Sequence, residues 1–299
     1  MTRNAVESPD RGAALMEHVA CNLCGSDDSD IVRRQGVFSI VKCRNCGLTY
    51  VNPRLSPLAQ AKEYDEKYYF GGSYDDYIGE ARGFEETFEK RLEKIERLVK
   101  PGKILDVGCA FGFFLSVARR RGWDAHGVDL SMSASRYARE ELGLQVIHGT
   151  LGQANFGDGH FDAAIMNDVF EHLSDPFAEL VHARRVLKTG GYLFIVTQDI
   201  NSLVVRALGS RWAQYKPREH LYYFTRATLK AMLEKSGFAV LRIESEGLVC
   251  TVKFLVGKLH NLNATLGRLA GYSAHKLGVQ DVLVPLRPGY EIMAYARKE

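Results

Sequence analysis

The clearest pattern of apolar and polar positions begins at Phe84. Phe84, Phe88, Leu92, Ile95 and Val99 recur at steps of three and four, with mostly charged residues between them, and Pro101-Gly102 ends the stripe. Short apolar runs then alternate with helical segments. Strands are predicted over Ile104–Val107, Ala125–Val128, Gln145–His148, Phe161–Asn167 and Tyr192–Thr197, with helices over Gly112–Arg121, Met132–Leu142 and Pro176–Leu187. This alternation implies an α/β fold, doubly wound, with a mostly parallel sheet covered on both faces. The C-terminal third breaks the rhythm. Thr225 caps a helix ending at Gly237, Phe238–Glu244 reads as a sixth strand, 248–270 as helical material and Ile292–Ala296 as the last strand. A strand pair closing the sheet, with an insertion between its members, fits this order.

Upstream of the stripe the pattern is different. Residues 1–17 read as a disordered tail, 18–52 as a cysteine-bearing module and 53–79 as a connector or lid punctuated by Pro53, Pro57 and Gly71-Gly72. Its Tyr64, Tyr68 and Tyr69 suit either a lid or packing against the sheet. Residues 80–299 would form the main domain.

Composition narrows the class. The 299 residues are 46% apolar and 25% charged, the balance of a globular protein rather than a disordered or collagen-like chain. Lys plus Arg number 39 against 36 Asp plus Glu, a net +3 that supplies no general drive toward nucleic acid or anionic membrane. No apolar stretch nears the 18 or so residues of a membrane span, and the polar start MTRNAVESPDRG lacks a signal peptide's apolar core. A cytoplasmic location is therefore expected. The 248–270 segment is read as a helix over the active site rather than a peripheral membrane anchor. The oligomeric state is left open.

Four of the six cysteines are paired as Cys21-x2-Cys24 and Cys43-x2-Cys46, with 18 residues between the pairs. In a reducing compartment this spacing argues for a four-thiolate zinc site rather than disulfides. Gly25 and Gly47 follow each pair and free the turn to aim backbone amides at sulfur. Four thiolates leave no open position, so the ion would be structural. Unliganded core cysteines, or a redox pair, are the alternatives; the latter lacks a strand–CxxC–helix context.

The first strand runs into Asp106-Val-Gly108-Cys109-Ala110-Phe-Gly112. A dinucleotide fingerprint would need Gly-x-Gly-x-x-Gly, and the order here fails at its second and third glycines. Acids stand instead at Asp106, before the loop, and at Asp129, ending the second strand. A carboxylate at the second position can accept hydrogen bonds from vicinal ribose hydroxyls.

With these residues in view, 101–199 resembles the class I S-adenosylmethionine-dependent methyltransferases. The blocks DVGCAFG, GVDLS, FDAAIMNDVFEHLSDP and ARRVLKTGGYLFIVT occur in family order and spacing. The resemblance implies a Rossmann-like, mostly parallel seven-stranded sheet with an antiparallel last strand, preceded by a small zinc ribbon. It carries cofactor contacts to Asp106, Gly108, Cys109, Ala110, Gly112, Asp129, Leu130, Thr150, Leu151, Asn167 and Asp168. Ala110 replaces a commoner glycine but stays small, and Thr150-Leu151 stands where the family often has Asp.

Methyl transfer to a hydroxyl or acidic carbon needs a base, and histidine suits neutral pH. Glu171-His172 follows the fourth strand, and Glu219-His220 lies in a loop with Trp212, Tyr215, Arg218, Tyr222 and Tyr223. That loop resembles the acceptor loop of bacterial sugar C-methyltransferases, whose Glu-His pair followed by Tyr-Phe supplies the base. This implies His220 as base with Glu219 orienting it, Tyr223 beside them and His172 as the other candidate. The family's tyrosine three residues before the histidine is absent, Pro217 standing there. Acceptor elements are expected at 200–225 and 247–289. The reading is a transferase of methyl groups to oxygen or carbon of a small molecule: a sugar, polyketide or lipid precursor. The alternatives are an RNA methyltransferase using the ribbon as a clamp and a non-catalytic cofactor-binding module. Arg33, Arg34, Lys42 and Arg44 are a thin basic footprint for RNA.

Overall fold

The computed structural model describes residues 16–63 and 77–299. Tyr64, Tyr68 and Tyr69 of the expected lid, and most of the expected tail, lie outside the described residues. The N-terminal part contains β1 (Met16–Glu17), β2 (Ser29–Gln35), β3 (Phe38–Cys43), β4 (Thr49–Val51), β5 (Arg54–Leu55) and α1 (Pro57–Glu63). Next come α2 (Ala81–Glu96), β6 (Lys103–Val107), α3 (Phe113–Arg120), β7 (Asp124–Asp129), α4 (Met132–Glu140), β8 (Gln145–His148) and β9 (Phe161–Asn167). A 3-10 turn over Phe170–His172 leads to α5 (Pro176–Val186), β10 (Leu187–Gln198), α6 (Leu203–Leu208), β11 (Tyr222–Tyr223), α7 (Arg226–Lys235) and β12 (Phe238–Ser245). The chain closes with β13 (Leu248–Thr251), α8 (Val252–Leu262), α9 (Ala264–Lys276), β14 (Leu283–Leu286) and β15 (Glu291–Lys298).

The seven-stranded sheet has the order β12-β15-β10-β9-β6-β7-β8, and only β15 runs against its neighbours. This is the expected Rossmann-like sheet with an antiparallel last strand. Alternation along each strand feeds two cores. On β9, Ala164 and Met166 join one side while Ala163 and Ile165 join the other; on β10, Leu193 and Ile195 oppose Phe194 and Val196. A parallel sheet buried on both faces needs such apolar runs rather than a polar face. The stripe read on α2 is real, since Phe88, Leu92 and Ile95 pack into the second core. Thr225 caps α7 as expected, in a reciprocal pair: its Oγ1 accepts from Thr228 N–H (3.1 Å) while Thr228 Oγ1 accepts from Thr225 N–H (2.9 Å).

Two boundaries differ from expectation. β10 begins at Leu187 rather than Tyr192, because Gly190-Gly191 form an irregularity inside the strand rather than a turn before it; Gly190 takes φ +76°. Residues 248–251 are a strand, not helix. Leu248–Thr251 pair with Leu283–Leu286, and Thr251 Oγ1 caps α8 by accepting from Phe254 N–H at 3.0 Å. Strand-forming Val249 and Thr251 and the capping threonine override the helical reading. Thr87 Oγ1 of α2 accepts from Val249 N–H at 2.8 Å, which docks this insertion on the main domain. Cys250, outside the cysteine pairs, is packed within that contact at 4% exposure.

The cysteine module is joined to the main domain. Its four-stranded sheet has the order β11-β4-β3-β2, so the outer strand comes from the loop that carries His220. Tyr222 pairs with Tyr50 and Tyr223 with Thr49, and Val51 N–H donates to Leu221 O at 2.9 Å. Cys21, Leu23, Val41, Leu48 and Tyr50 share one hydrophobic core with Leu105, Val107 and Met166 of the large sheet. Met16–Glu17, expected in the tail, pair with Arg54–Leu55.

Candidate active site

The carboxyl ends of β6, β7 and β9 bring together the residues of the glycine loop. Gly108 and Gly112 hold φ +74° and +81°, and a Cβ on Gly108 would stand 2.4 Å from Val169. Ala110 holds φ +46°, a cost for a residue with a Cβ, and its N–H donates to Asp129 Oδ2 at 2.8 Å. Asp129 Oδ1 accepts from Ser131 N–H at 2.8 Å. One carboxylate therefore ties the loop after β6 to the start of α4, and each oxygen retains a second lone pair for a ligand. The Cys109 thiol faces the core, where a Cβ on Gly127 would come within 2.6 Å of its Sγ. Cys109 can offer a ligand only backbone.

Asp106 is 2% exposed and its Oδ1 has no partner. Burial, and then the Asp129 charge, raise its carboxyl well above the usual range. Asn167 lies close enough to offset part of that shift, yet its Nδ2 lacks hydrogen-bond geometry to any acceptor. Buried polar atoms left over in this way are the expected mark of a ligand site. Leu130 is half exposed, whereas Leu151 is wholly buried in the core and Thr150 is engaged with Gln153 Oε1. The resemblance's contacts at Cys109 and Leu151 thus find their side chains turned inward.

Sequence reasoning missed Arg91. It lies on the apolar stripe of α2, three residues after Phe88, and is 2% exposed. Its Nη1 donates to Asn167 Oδ1 (3.1 Å) and Asp168 Oδ2 (3.0 Å), and Nη2 stands 3.7 Å from Glu291. The available signal was a cation at a core-facing position, which the fold can bury only beside acids.

The acceptor-side candidates converge next to Asp168. The imidazoles of His172 and His220 meet edge to face, their centroids 4.7 Å apart. His172 Nδ1 is 2.9 Å from Glu219 O, and His220 N–H donates to Lys216 O. The Glu219 carboxylate pairs with Lys216 at 3.5 Å. The carboxylate that stands with both imidazoles is Glu171, since one ligand atom of each of Glu171, His172 and His220 lies within 4.8 Å of the others. Glu171 Oε2 accepts from Thr197 Oγ1 at 2.7 Å, while Oε1 and His220 Nδ1 are buried without partners. Burial holds the His172 imidazole down at about 4 and pushes the Glu171 carboxyl up to about 8, with Asp168 reinforcing the second. Burial also keeps His220 well below its ordinary value, so both rings are neutral near pH 7. Trp212 and Tyr223 wall the loop at 6.3 Å between ring centroids, and the buried Tyr223 hydroxyl has no partner.

The cysteines cluster as well. All four Sγ lie within 4.8 Å of one another, with Cys21–Cys46 at 3.4 Å and Cys24–Cys43 at 3.5 Å. These separations far exceed a disulfide's roughly 2.05 Å. They approach the roughly 3.8 Å edge of a tetrahedron whose metal–sulfur bonds are about 2.3 Å. Gly25 and Gly47 hold φ +77° and +78°, and their N–H groups donate to Cys21 O and Cys43 O, closing two matched knuckles.

A methyltransferase-domain family model matches residues 81–243. The uncharacterized protein MJ1123 of Methanocaldococcus jannaschii is 27% identical over 173 residues, which cover 56% of this chain and 78% of that protein. The ubiquinone biosynthesis O-methyltransferase of Alkalilimnicola ehrlichii is 33% identical over 119 residues, 37% of this chain and 48% of that enzyme. The chain thus spans about half of the latter's length. Among solved structures, the PH0226 protein of Pyrococcus horikoshii superposes with a TM-score of 0.52 at 19% identity, covering 78% of this chain and 96% of that one. This last likeness speaks for the fold. Glycine loop, second-strand acid and sheet order all lie within or beside the matched span, and the chain belongs to the methyltransferase-domain family of S-adenosylmethionine-dependent enzymes.

Proposed function

We propose that this methyltransferase acts on an oxygen or carbon of a small molecule, such as a sugar, polyketide or lipid precursor. The observation that carries this reading is the pair of neutral imidazoles beside Glu171, at the same sheet end as Asp106, Asp129 and Asn167. S-adenosylmethionine supplies an electrophilic methyl on a sulfonium. Asp129 would accept the ribose hydroxyls, Asp106 and Asn167 would hold the amino-acid part, and the Gly108–Gly112 backbone would leave room for the cofactor. His220 Nδ1, or His172 Nε2, offers the lone pair through which the acceptor loses its proton as its bond to the methyl forms. Loop walls from Trp212 and Tyr223 exclude water and hold the acceptor in line.

The four cysteines hold a structural Zn2+, a reading supported by their spacing and their twin knuckles. RNA clamping by this module is disfavoured by its bases. Arg44 is tied to Asp28 and Asp30, and Arg33 lies over the Tyr215 ring at 4.8 Å. Among the described residues no helix is long and apolar enough to cross a membrane.

The test is transfer of labelled methyl to a panel of hydroxylated small molecules, with H220A as control. The expected result is turnover in the wild type, and in H220A a loss of at least about 100-fold in turnover, in the range of general-base contributions, at unchanged cofactor affinity. Steeply salt-dependent methylation of RNA, or turnover untouched in H220A, would overturn the proposal.

A further inference from the structure

We infer that Glu171, His172 and His220 form a second metal site, a two-histidine, one-carboxylate set for a divalent first-row ion such as Zn2+, Fe2+ or Co2+.

The first ground is convergence. Three ligand-type atoms from two separate segments stand within 4.8 Å of one another. Metal–ligand bonds of about 2.0–2.2 Å need separations of roughly 3–3.5 Å, a closure that small side-chain rotations supply. The second ground is a pair of buried ligand-type atoms left without partners. Glu171 and His220 are 2% and 5% exposed, and Glu171 Oε1 and His220 Nδ1 have no donor. A buried carboxylate oxygen and a buried imidazole lone pair cannot satisfy each other without a proton or a cation.

The outer contacts also match a metal site. The Glu219 carbonyl can only accept, so His172 carries its proton on Nδ1 and presents Nε2 as a lone pair. His220 Nδ1 is buried without a partner. Thr197 Oγ1 donates to Glu171 Oε2 and orients the carboxylate. The set contains no sulfur, unlike the cysteine cluster, and three protein ligands leave coordination positions open.

Binding follows from this geometry alone. The ion's role rests on the reading of the loop as the acceptor site: it would take an acceptor oxygen as a further ligand and make that O–H easier to ionise. The lone pairs read above as proton acceptors would then act through the ion.

The experiment uses the whole chain with one equivalent of zinc in the cysteine site, titrated with Co2+. We expect one further equivalent, with visible d–d absorption and no intense thiolate–cobalt band. H220A should lose it, and E171Q should bind it at least about tenfold more weakly, both variants keeping their zinc and their circular dichroism. Absence of a second equivalent in the wild type, which would leave an ordinary buried water or proton there, overturns the site. So does equal binding by the wild type, H220A and E171Q. Full-rate methyl transfer with only the cysteine site filled overturns the role given to the ion. A bound second ion with no transfer to any acceptor would instead sink the acceptor-site reading and leave the metal site standing.

Discussion

Arg91 and Asp168 form a 3.0 Å ion pair in which the guanidinium is 2% exposed and the carboxylate 42%. The cation also serves Asn167 and faces Glu291, so it neutralises an acid-rich sheet end from the back of α2. R91M removes the only positive charge these groups contact in the described structure while keeping the bulk. Removing one partner of a buried pair costs about 3–5 kcal/mol; solvent access at Asp168 places the expected loss near about 3. Denaturant unfolding measures it, and a loss under about 1 kcal/mol would show that the acids simply take up protons. Cofactor affinity should fall as well, since Asn167 loses its anchor.

Asp129 joins two loops by two backbone amides and has lone pairs to spare. D129A should weaken S-adenosylmethionine binding by at least about tenfold, because it removes both the oxygens proposed to accept the ribose hydroxyls and the tie that holds Ala110 at positive φ. Titration calorimetry at constant pH reads the change. Affinity equal to the wild type would take Asp129 out of the cofactor site.

Glu171 ties stability to pH. Burial, with Asp168 behind it, lifts its carboxyl to about 8, against about 4.3 unfolded, so the folded state keeps a proton that the unfolded state releases. Stability then falls as pH rises through that window. His172, held down at about 4, contributes fully above about 6.5 and less as pH falls toward 4. The two slopes oppose each other between about 4.5 and 6.5, and above 6.5 only that of Glu171 remains. In zinc-loaded protein with no other metal, the wild type should lose thermal stability relative to E171Q between pH 6.5 and 8. A gap that stays constant with pH would contradict this.

The cysteine module and the His220 loop should loosen together. C43S, or removal of the module's metal, is expected to speed amide exchange at Tyr222 and Tyr223 by at least about tenfold, because β11 is held by β4. Mass-spectrometric hydrogen exchange reads this without any activity measurement. Unchanged exchange there would show that the main domain alone holds the loop.

The main-domain sheet was legible in the sequence because period-two apolar runs and turn residues speak for themselves at short range. Gln145–His148 and Phe161–Asn167 were placed to the residue. Leu248–Thr251 was not, since its strand pairing depends on residues more than thirty positions away. The site was half legible. Glycine loop, Asp129 and the four cysteines carry local spacing, and the resemblance led to both histidines. That Glu171 stands with both imidazoles, and that Arg91 is buried, are tertiary facts. Adjacency in sequence suggested Glu219 as orienting acid; in the structure its carboxylate pairs with Lys216 and its carbonyl stands 2.9 Å from His172 Nδ1.

The four-stranded sheet of the cysteine module takes its outer strand from about 170 residues downstream, a separation that governs the order of assembly during synthesis. The knuckles can capture an ion as soon as Cys46 leaves the ribosome, yet Thr49–Val51 remain an open edge until Tyr223 emerges. The module is thus made before the main domain and completed only after most of it. A nascent or truncated chain ending before β11 displays an unpaired strand beside a half-finished core, the kind of edge on which other chains can add.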